Sequence, residues 1–520
     1  MIVANALTDT SRFKVLLVSI SNVWRSSNVG VDQLASYLRG KGYQIDIKYY
    51  HKKESAETII NDLTTDYDLY GFSVHSSNYE KSCQVSDYLK RVIPSAFVLF
   101  GSAFPTMYYR EIMQEHDSVD YIILGDGEEP SDFLLRHLTD PSLGLPKAEY
   151  IVTKTDLSDK KPYCNKEIFH LPAFDYYEND TRRRNSRKIY CHQTKNNICT
   201  GKCSFCTERK GPICYKSISQ IVNEIAYVSK TFGVKKIFIT DDNILDPNNE
   251  TAKNRVRELC LEIQKLNLNL VFECYIKANS LTDCASDNAL LQLMSDTGFK
   301  TIFVGIEAGN NQDLILYNKF TTVSDNNTII RLLYNHDIIP LIGFINFNPY
   351  STTNTLRQNY NFLMGIKSTN LFQYVCSFLR VHKYTSIYEK MEADGLINSN
   401  FSYLNDTGYD FQNEDTVQIF AFVYEYMYPR VRGLNIELDW LYQYYAECKK
   451  INPKVVMFEE ELLTLKAHQF ELMKSFFYTL YEKNDLEKCK NTVDDFLTYF
   501  EGLQPRLLQV YDQLVSLFSC

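Results

Sequence analysis

The chain has no apolar run long enough to cross a bilayer, no basic stripe, no regular cysteine ladder and no internal repeat. Its longest apolar stretches, such as "KVLLVSI", "SAFVLFG" and "VDYIILG", fall well short of the roughly 20 residues of a spanning helix. The opening "MIVANALTDTSRFK" lacks a basic region followed by an apolar one, so the expectation is a cytoplasmic chain with no membrane partner. A formal net charge of -9 does not favour duplex nucleic acid. With 45% hydrophobic and 23% charged residues, neither a disordered tail nor a collagen-like repeat is present. Fourteen cysteines without disulfide-framework spacing point to a reducing compartment, where clustered thiols serve metals or catalysis.

At 520 residues the chain exceeds one hydrophobic core and suggests three domains. Residues 1–150 alternate short apolar runs with amphipathic stretches, the pattern of a parallel α/β sheet of Rossmann-like or flavodoxin-like type. Ligands of such sheets sit beyond the carboxyl ends of the strands, here the loops "SNVWRSSNVG", "VHSSNYEKS", "GSAFPT" and "GDGEEP". A polar segment at 151–185 reads as a linker, and about six strand–helix units at 186–395 suffice for a partial parallel barrel. Residues 396–520 carry helix-period apolar patterning and read as a helical domain. The 38 tyrosines suit either a polar-lined cavity or, more commonly, amphipathic core positions.

Three cysteines, Cys199, Cys203 and Cys206, crowd into "NNICTGKCSFCTERKGP", just after the first barrel strand. Three thiolates can hold zinc or an iron–sulfur centre; zinc needs a fourth ligand, for which His192 and Cys214 are the nearby candidates. The spacing CxxxCxxC, with Phe205 before the third cysteine at the mouth of a β/α barrel, resembles the radical S-adenosylmethionine superfamily. The resemblance implies a 4Fe-4S cluster ligated by Cys199, Cys203 and Cys206, its open iron chelating S-adenosylmethionine for reductive cleavage to a 5'-deoxyadenosyl radical. It also implies cofactor contacts at later strand ends. Asp241, Asp242 and Asn243 of "FITDDN" would meet the methionine end or the substrate, and Lys277 and Asn279 of "FECYIKAN" a carboxylate and ribose hydroxyls. In "FVGIEAG", Gly305 would allow close approach of the adenosyl group and Glu307 would accept from the ribose. The plainer alternatives are a helix-capping Asp and a solvated Lys.

A Rossmann-like module ahead of such a barrel resembles the cobalamin-binding-domain radical enzymes over roughly residues 12–395, through "GSAFPT" and "VDYIILGDGEEP". A corrin would then meet Ser73, Ser76, Gly101, Ser102, Gly125 and Gly127, for which ordinary turn chemistry is the alternative. There are departures. No Asp-x-His-x-x-Gly follows the first strand, Ser102 replaces a glycine, and Phe104 stands where relatives tend to carry histidine. His75 is a candidate metal ligand, although a lone loop histidine is more often a surface hydrogen bonder.

The leading expectation is a cobalamin-dependent methyltransferase acting on an unactivated carbon of a small-molecule or peptide substrate, supplied with electrons by a flavodoxin or ferredoxin. The second is cobalamin-independent epimerisation, cyclisation or rearrangement, with Cys274, Cys284 or Cys376 as hydrogen donor; buried structural cysteine is the commoner role. Cys448, Cys489 and Cys520 lie too far apart for an auxiliary cluster. The third, of another class, is a metal-binding regulatory protein without catalysis. The aromatic "FAFVYEYMYP" would either close over the barrel mouth or pack between helices.

Overall fold

The computed structural model describes residues 13–21, 27–63, 66–145, 149–164, 171–178, 188–196, 198–207, 211–247, 249–366, 371–431, 435–483 and 485–519. They form two compact units, one of Met1–Asn196 with Cys214–Lys216 and Lys230–Val234, the other of Asn197–Ile213, Ser217–Ser229 and Lys235–Cys520.

In the first unit, strands β1 (Lys14–Ser21), β2 (Gln44–His51), β3 (Leu69–Ser73), β4 (Phe97–Gly101), β5 (Tyr121–Ile123) and β6 (Ile151–Thr153) form a sheet of order β2-β1-β3-β4-β5-β6. The first five run parallel and β6 pairs antiparallel to β5. Helices α1 (Val29–Gly40), α2 (Ala56–Asp62), α3 (Tyr79–Val92), α4 (Ala103–Glu115) and α5 (Glu128–Thr139) supply the crossovers that parallel neighbours require. The 2-1-3-4-5 order is flavodoxin-like and places its switch point between β1 and β3. Val15, Leu17, Leu38, Ile45, Leu69 and Leu99 build its core. The stretch read as a linker lies partly outside the described residues; its described part contains β6 and a short helix, α6 (Asp175–Glu178). Arg39 on α1 fixes α6 by a two-pronged bond to Asp175, 2.7 Å on each prong. Strand β7 (Ile189–His192) follows.

After α7 (Ile218–Phe232), the second unit carries β8 (Lys236–Ile239), α8 (Glu250–Lys265), β9 (Val271–Lys277), α9 (Ala285–Thr297), β10 (Phe299–Glu307), α10 (Asn311–Leu316), α11 (Val323–Asn335), β11 (Ile339–Phe344) and α12 (Thr353–Gly365). Its strands run parallel in the order β11-β10-β9-β8. Local sequence sets the helix starts: Asn249 caps α8, and Thr322 with Asp325 closes a capping box on α11.

Along β9 and β10 buried and half-buried residues alternate, so one face of this sheet is packed and the other lines an interior. On the lining face Tyr275, Phe303 and Leu341 fall in register, and Phe238, which pairs with Glu273, reaches Tyr275 diagonally; ring centroids are 5.4 Å apart for Phe238–Tyr275 and 5.2 Å for Tyr275–Phe303. One step toward the carboxyl ends stand Lys277, Gly305 and Gly343. An aromatic floor thus underlies a rim of two glycines and a lysine.

The C-terminal part is helical: α13 (Leu371–Val375), α14 (Ser386–Ala393), α15 (Glu414–Ala421), α16 (Tyr428–Val431), α17 (Asn435–Ile451), α18 (Glu459–Tyr478) and α19 (Leu486–Ser519). Glu447 of α17 is buried against Lys236, the first residue of β8, at 2.6 Å, and Lys236 also meets Glu273 at 2.7 Å. This helix therefore seals the amino end of the second sheet. In the aromatic segment, Phe420 packs on Phe347, Phe378 and Phe411, and Phe422 on Phe476. No helix among the described residues is long and apolar enough to cross a membrane.

Candidate functional site

Gly201, between the first two cysteines, is buried, and a Cβ there would lie 3.0 Å from Lys277 Nζ and 3.3 Å from Cys199 Sγ. Its N–H donates to Cys199 Sγ at 3.3 Å. A side chain here would press the lysine at the end of β9 by a few tenths of an ångström. Thr200 Oγ1 donates to Asp246 at 2.8 Å, and Asn243 Nδ2 reaches the same oxygen at 3.3 Å, so the loop after β8 holds the cysteine loop from one side. From the other side, Ser204 N–H donates to Tyr317 O at 2.9 Å, Ser204 Oγ to Leu316 O at 2.8 Å, and Asn318 Nδ2 to Lys202 O at 2.7 Å. Phe205 sets its ring edge-on against Tyr317.

The turn after α10 carries Lys319, which is 3% exposed and lies 3.1 Å from Glu307 Oε1. Burial opposes the ammonium's charge, but the Glu307 carboxylate, and then the Cys203 and Cys206 thiols, outweigh it and raise its pKa. One cation thus pairs with the carboxylate at the end of β10 and lies within electrostatic reach of two of the thiols. Glu307 has φ 64°, and the β10–β11 register slips between Gly305 and Glu307. This bulge folds its carboxylate back over the glycine rim. A Cβ on Gly305 would lie 2.7 Å from Glu307 Oε1, and one on Gly343 would lie 3.4 Å from Oε2.

Of the other expected residues, Asp241 is buried, and its charge adds to the effect of burial in raising the pKa of the Cys274 thiol. Asn243 is fully buried with its Oδ1 unpartnered. Asp242 is half-buried in the same turn. Asn279 donates to Phe320 O at 3.2 Å and leaves its own Oδ1 unpartnered. Two buried acceptors without donors beside the cysteine loop are what a ligand with N–H or O–H groups would satisfy. The three cysteines are half-buried. Among the described residues no three Cys, His, Asp or Glu side chains are gathered to metal-binding distance. Metal binding itself supplies the ordering energy of such loops.

Of the cysteines considered as hydrogen donors, Cys274 and Cys376 are buried and their thiols are pushed well up by burial, which favours the protonated form. Cys284 is exposed ahead of α9.

At the carboxyl edge of the first sheet, Asn28 caps α1 and donates to Ser19 Oγ and Ser73 Oγ, each at 3.2 Å. Ser73 is thereby engaged in the scaffold. Gly125, at φ 86°, is packed so tightly that a Cβ would lie 2.2 Å from Tyr163 O, so its glycine serves a turn. Gly127 precedes α5, and a Cβ there would touch Leu34 at an ordinary 3.6 Å. Gly101 has no atom within 4 Å of a modest Cβ, Ser76 is exposed, and Ser102 adopts φ 89° between β4 and α4. Phe104 is buried on Tyr79 and Tyr108.

Sequence reading missed Lys319, Thr200, Asp246 and Glu447. Lys319 in "LYNKF" carries no signal in the sequence, because the positive φ at Asn318 and Phe320 that turns it inward appears only in the structure. Glu447 lies 211 residues from its partner, and no local pattern reveals it.

The family model described as "B12 binding domain" matches residues 14–135. Among curated relatives, the anaerobic magnesium-protoporphyrin IX monomethyl ester cyclase of Synechocystis sp. is 22% identical over 62% of this chain and 63% of its own length. That of Rubrivivax gelatinosus is 24% identical over 64% and 60%. The 4'-phospho-dehydrooxetanocin synthase of Priestia megaterium is 22% identical over 65% and 48%. The chain thus spans about three-fifths or less of these relatives. The cobalamin-dependent S-adenosylmethionine radical enzyme OxsB, solved with aqua-cobalamin and S-adenosylmethionine, superposes with TM-score 0.71 at 16% identity, over 97% of this chain and 81% of that one. The radical S-adenosylmethionine methyltransferase TsrM from Kitasatospora setae, solved with cobalamin and a [4Fe-4S] cluster, gives TM-score 0.57 at 16% identity, over 74% and 75%.

Proposed function

We propose that this chain, which has the fold of the cobalamin-dependent radical S-adenosylmethionine enzymes, is itself such an enzyme and transfers a methyl group to an unactivated carbon. The observation that carries the proposal is the meeting of Cys203, Cys206, Lys319 and Glu307 around the Gly305–Gly343 rim.

The donor sets suit the cofactors: three half-buried thiols on one loop for a 4Fe-4S cluster, the glycine rim with the unpartnered Asn243 and Asn279 oxygens for S-adenosylmethionine, and an open Gly101 edge for a corrin. Bound there, these groups supply one-electron cleavage, hydrogen abstraction and a transferable methyl. The protein's part is positioning. Cys199, Cys203 and Cys206 hold the iron, Glu307 accepts from ribose hydroxyls, and Lys319 balances the negative charge of thiolates and carboxylate. Lys277 meets a carboxylate, and Asp241, Asp242, Asn243 and Asn279 complete the polar wall. The aromatic floor of Phe238, Tyr275 and Phe303 keeps water from below. In the first unit Ser76, Gly101, Ser102 and Gly127 would face the corrin, with Ser73 and Gly125 shaping the edge.

The division at residues 150, 185 and 395, a cytoplasmic setting for the free thiols, and a flavodoxin or ferredoxin as one-electron donor belong to the same proposal. A second reading, ring closure or ring rearrangement of a small molecule, is favoured by the cyclases and the synthase among the relatives.

The test is anaerobic reconstitution with iron, sulfide and hydroxocobalamin, then S-adenosylmethionine and a low-potential reductant. Retained iron, a retained corrin spectrum and 5'-deoxyadenosine are expected. Zinc in place of iron, or iron without cleavage, overturns the proposal in favour of a non-catalytic metal protein. With methyl-labelled cofactor, a product gaining the label supports methyl transfer, and one losing only hydrogen supports ring closure.

A further inference from the structure

The β1–α1 loop contains no histidine, so a cobalt bound by the first unit must find any nitrogen ligand elsewhere. Two histidines stand at carboxyl ends of that sheet's strands. His51 ends β2, is 3% exposed, and its Nδ1 already accepts the Lys53 N–H at 3.1 Å. His75, two residues beyond β3, is different: it is exposed beside the switch point, where corrin-sized ligands of such sheets sit.

Its backbone is held firmly. Val74 N–H donates to Gly101 O at 3.0 Å and His75 N–H to Asn78 Oδ1 at 2.8 Å. Asn78 Nδ2 donates to Ile20 O at 2.7 Å and to Ser73 O at 3.0 Å, tying together the ends of β1 and β3. The ring itself is lightly held. Among the described residues its one polar contact is Ser102 Oγ, 3.4 Å from Nε2, at the outer limit of a hydrogen bond. A rigid backbone carrying a lightly held imidazole is the arrangement of a preplaced metal ligand, with Ser102 ready to orient the ring. Next to it, Gly101 leaves open space.

We infer that His75 is an axial ligand of the cobalt of a corrin bound at this edge. The inference rests on the proposal that the chain binds cobalamin. It names a ligand where the expected histidine motif is missing.

The test uses the full chain labelled with 15N-histidine, loaded with unlabelled cobalamin and reduced to the cobalt(II) state. In that state the unpaired electron lies along the axial direction, so a 14N ligand splits each cobalt hyperfine line in the electron paramagnetic resonance spectrum into three and a 15N ligand into two. The expected result is a triplet in unlabelled protein that becomes a doublet on labelling, and no nitrogen splitting from protein in His75→Ala with corrin still retained. A triplet unchanged by labelling, which the cofactor's own base would give, overturns the inference while leaving cobalamin binding intact. So does the absence of any nitrogen splitting. A labelled doublet that persists in His75→Ala would also overturn it, by assigning the bond to another histidine. Failure to retain any corrin overturns both the inference and the cobalamin arm of the proposed function.

Discussion

In the first sheet β1 buries six consecutive residues, Val15–Ile20, whereas in the second β9 alternates buried Cys274 and Ile276 with half-buried Glu273, Tyr275 and Lys277. A strand covered on both faces has only its end to offer a ligand; a strand with one open face can line a chamber along its length. The same parallel architecture therefore offers a ligand an edge in one unit and an interior face in the other. The chemistry follows this division. The residues of the first edge are small and mostly neutral, while the second gathers thiols, a carboxylate and a buried ammonium above an aromatic floor.

The strongest way to break the comparison is Cys203→Ala. Iron and 5'-deoxyadenosine formation should fall to background, while corrin retention by the first sheet stays at the wild-type level. Loss of corrin as well would show that the two sites are not separable.

Glu447→Ala should come next, acting on the second sheet alone. Breaking a buried ion pair costs about 3–5 kcal/mol when it leaves a charge unpaired, and because Glu273 still holds Lys236 at 2.7 Å the loss here should fall at or below the lower end of that range. Denaturant unfolding should show the second unit destabilised by this order and the first unmoved.

The first sheet has a titratable group of its own. Burial holds the Asp32 carboxyl near pKa 7 against an ordinary 3.8, with the Tyr49 hydroxyl hydrogen bond offsetting only part of this. Between those values the folded chain keeps a proton that the unfolded chain has lost, so this unit loses stability as pH rises through the window and levels off above about 7. The fall should be on the order of 2–4 kcal/mol, and Asp32→Asn should flatten it. Thermal unfolding at about pH 5 and about pH 8 measures it; a slope unchanged in Asp32→Asn would assign it to another group.

How much of this was readable in advance depended on distance along the chain. The cysteine loop was legible because its three thiols and Gly201 are local, and Glu307 because it ends a strand in a recognisable pattern. The aromatic floor needed the register of three strands, which sequence alternation alone does not fix. Lys319 needed the Glu307 bulge and the turn at Asn318 to bring it twelve residues back. Gly125 was readable as a flexible turn, but its packing partner Tyr163 lies in the stretch that looked like a linker.

The finest comparison uses one added methyl group on each sheet. In Gly305→Ala the Cβ would come within 2.7 Å of Glu307 Oε1 and 2.9 Å of Lys319 Nζ, so the pair must shift from the rim. Iron content should hold, while affinity for S-adenosylmethionine falls about tenfold, roughly 1.4 kcal/mol. In Gly101→Ala the Cβ meets no protein atom within 4 Å, so the fold should be unaffected. Any loss there must come from the ligand side, as weaker corrin retention with an unchanged melting temperature. Equilibrium dialysis of both variants against both ligands separates the cases. If Gly305→Ala weakened corrin binding, or Gly101→Ala weakened S-adenosylmethionine binding, the assignment of one ligand to each sheet would fail.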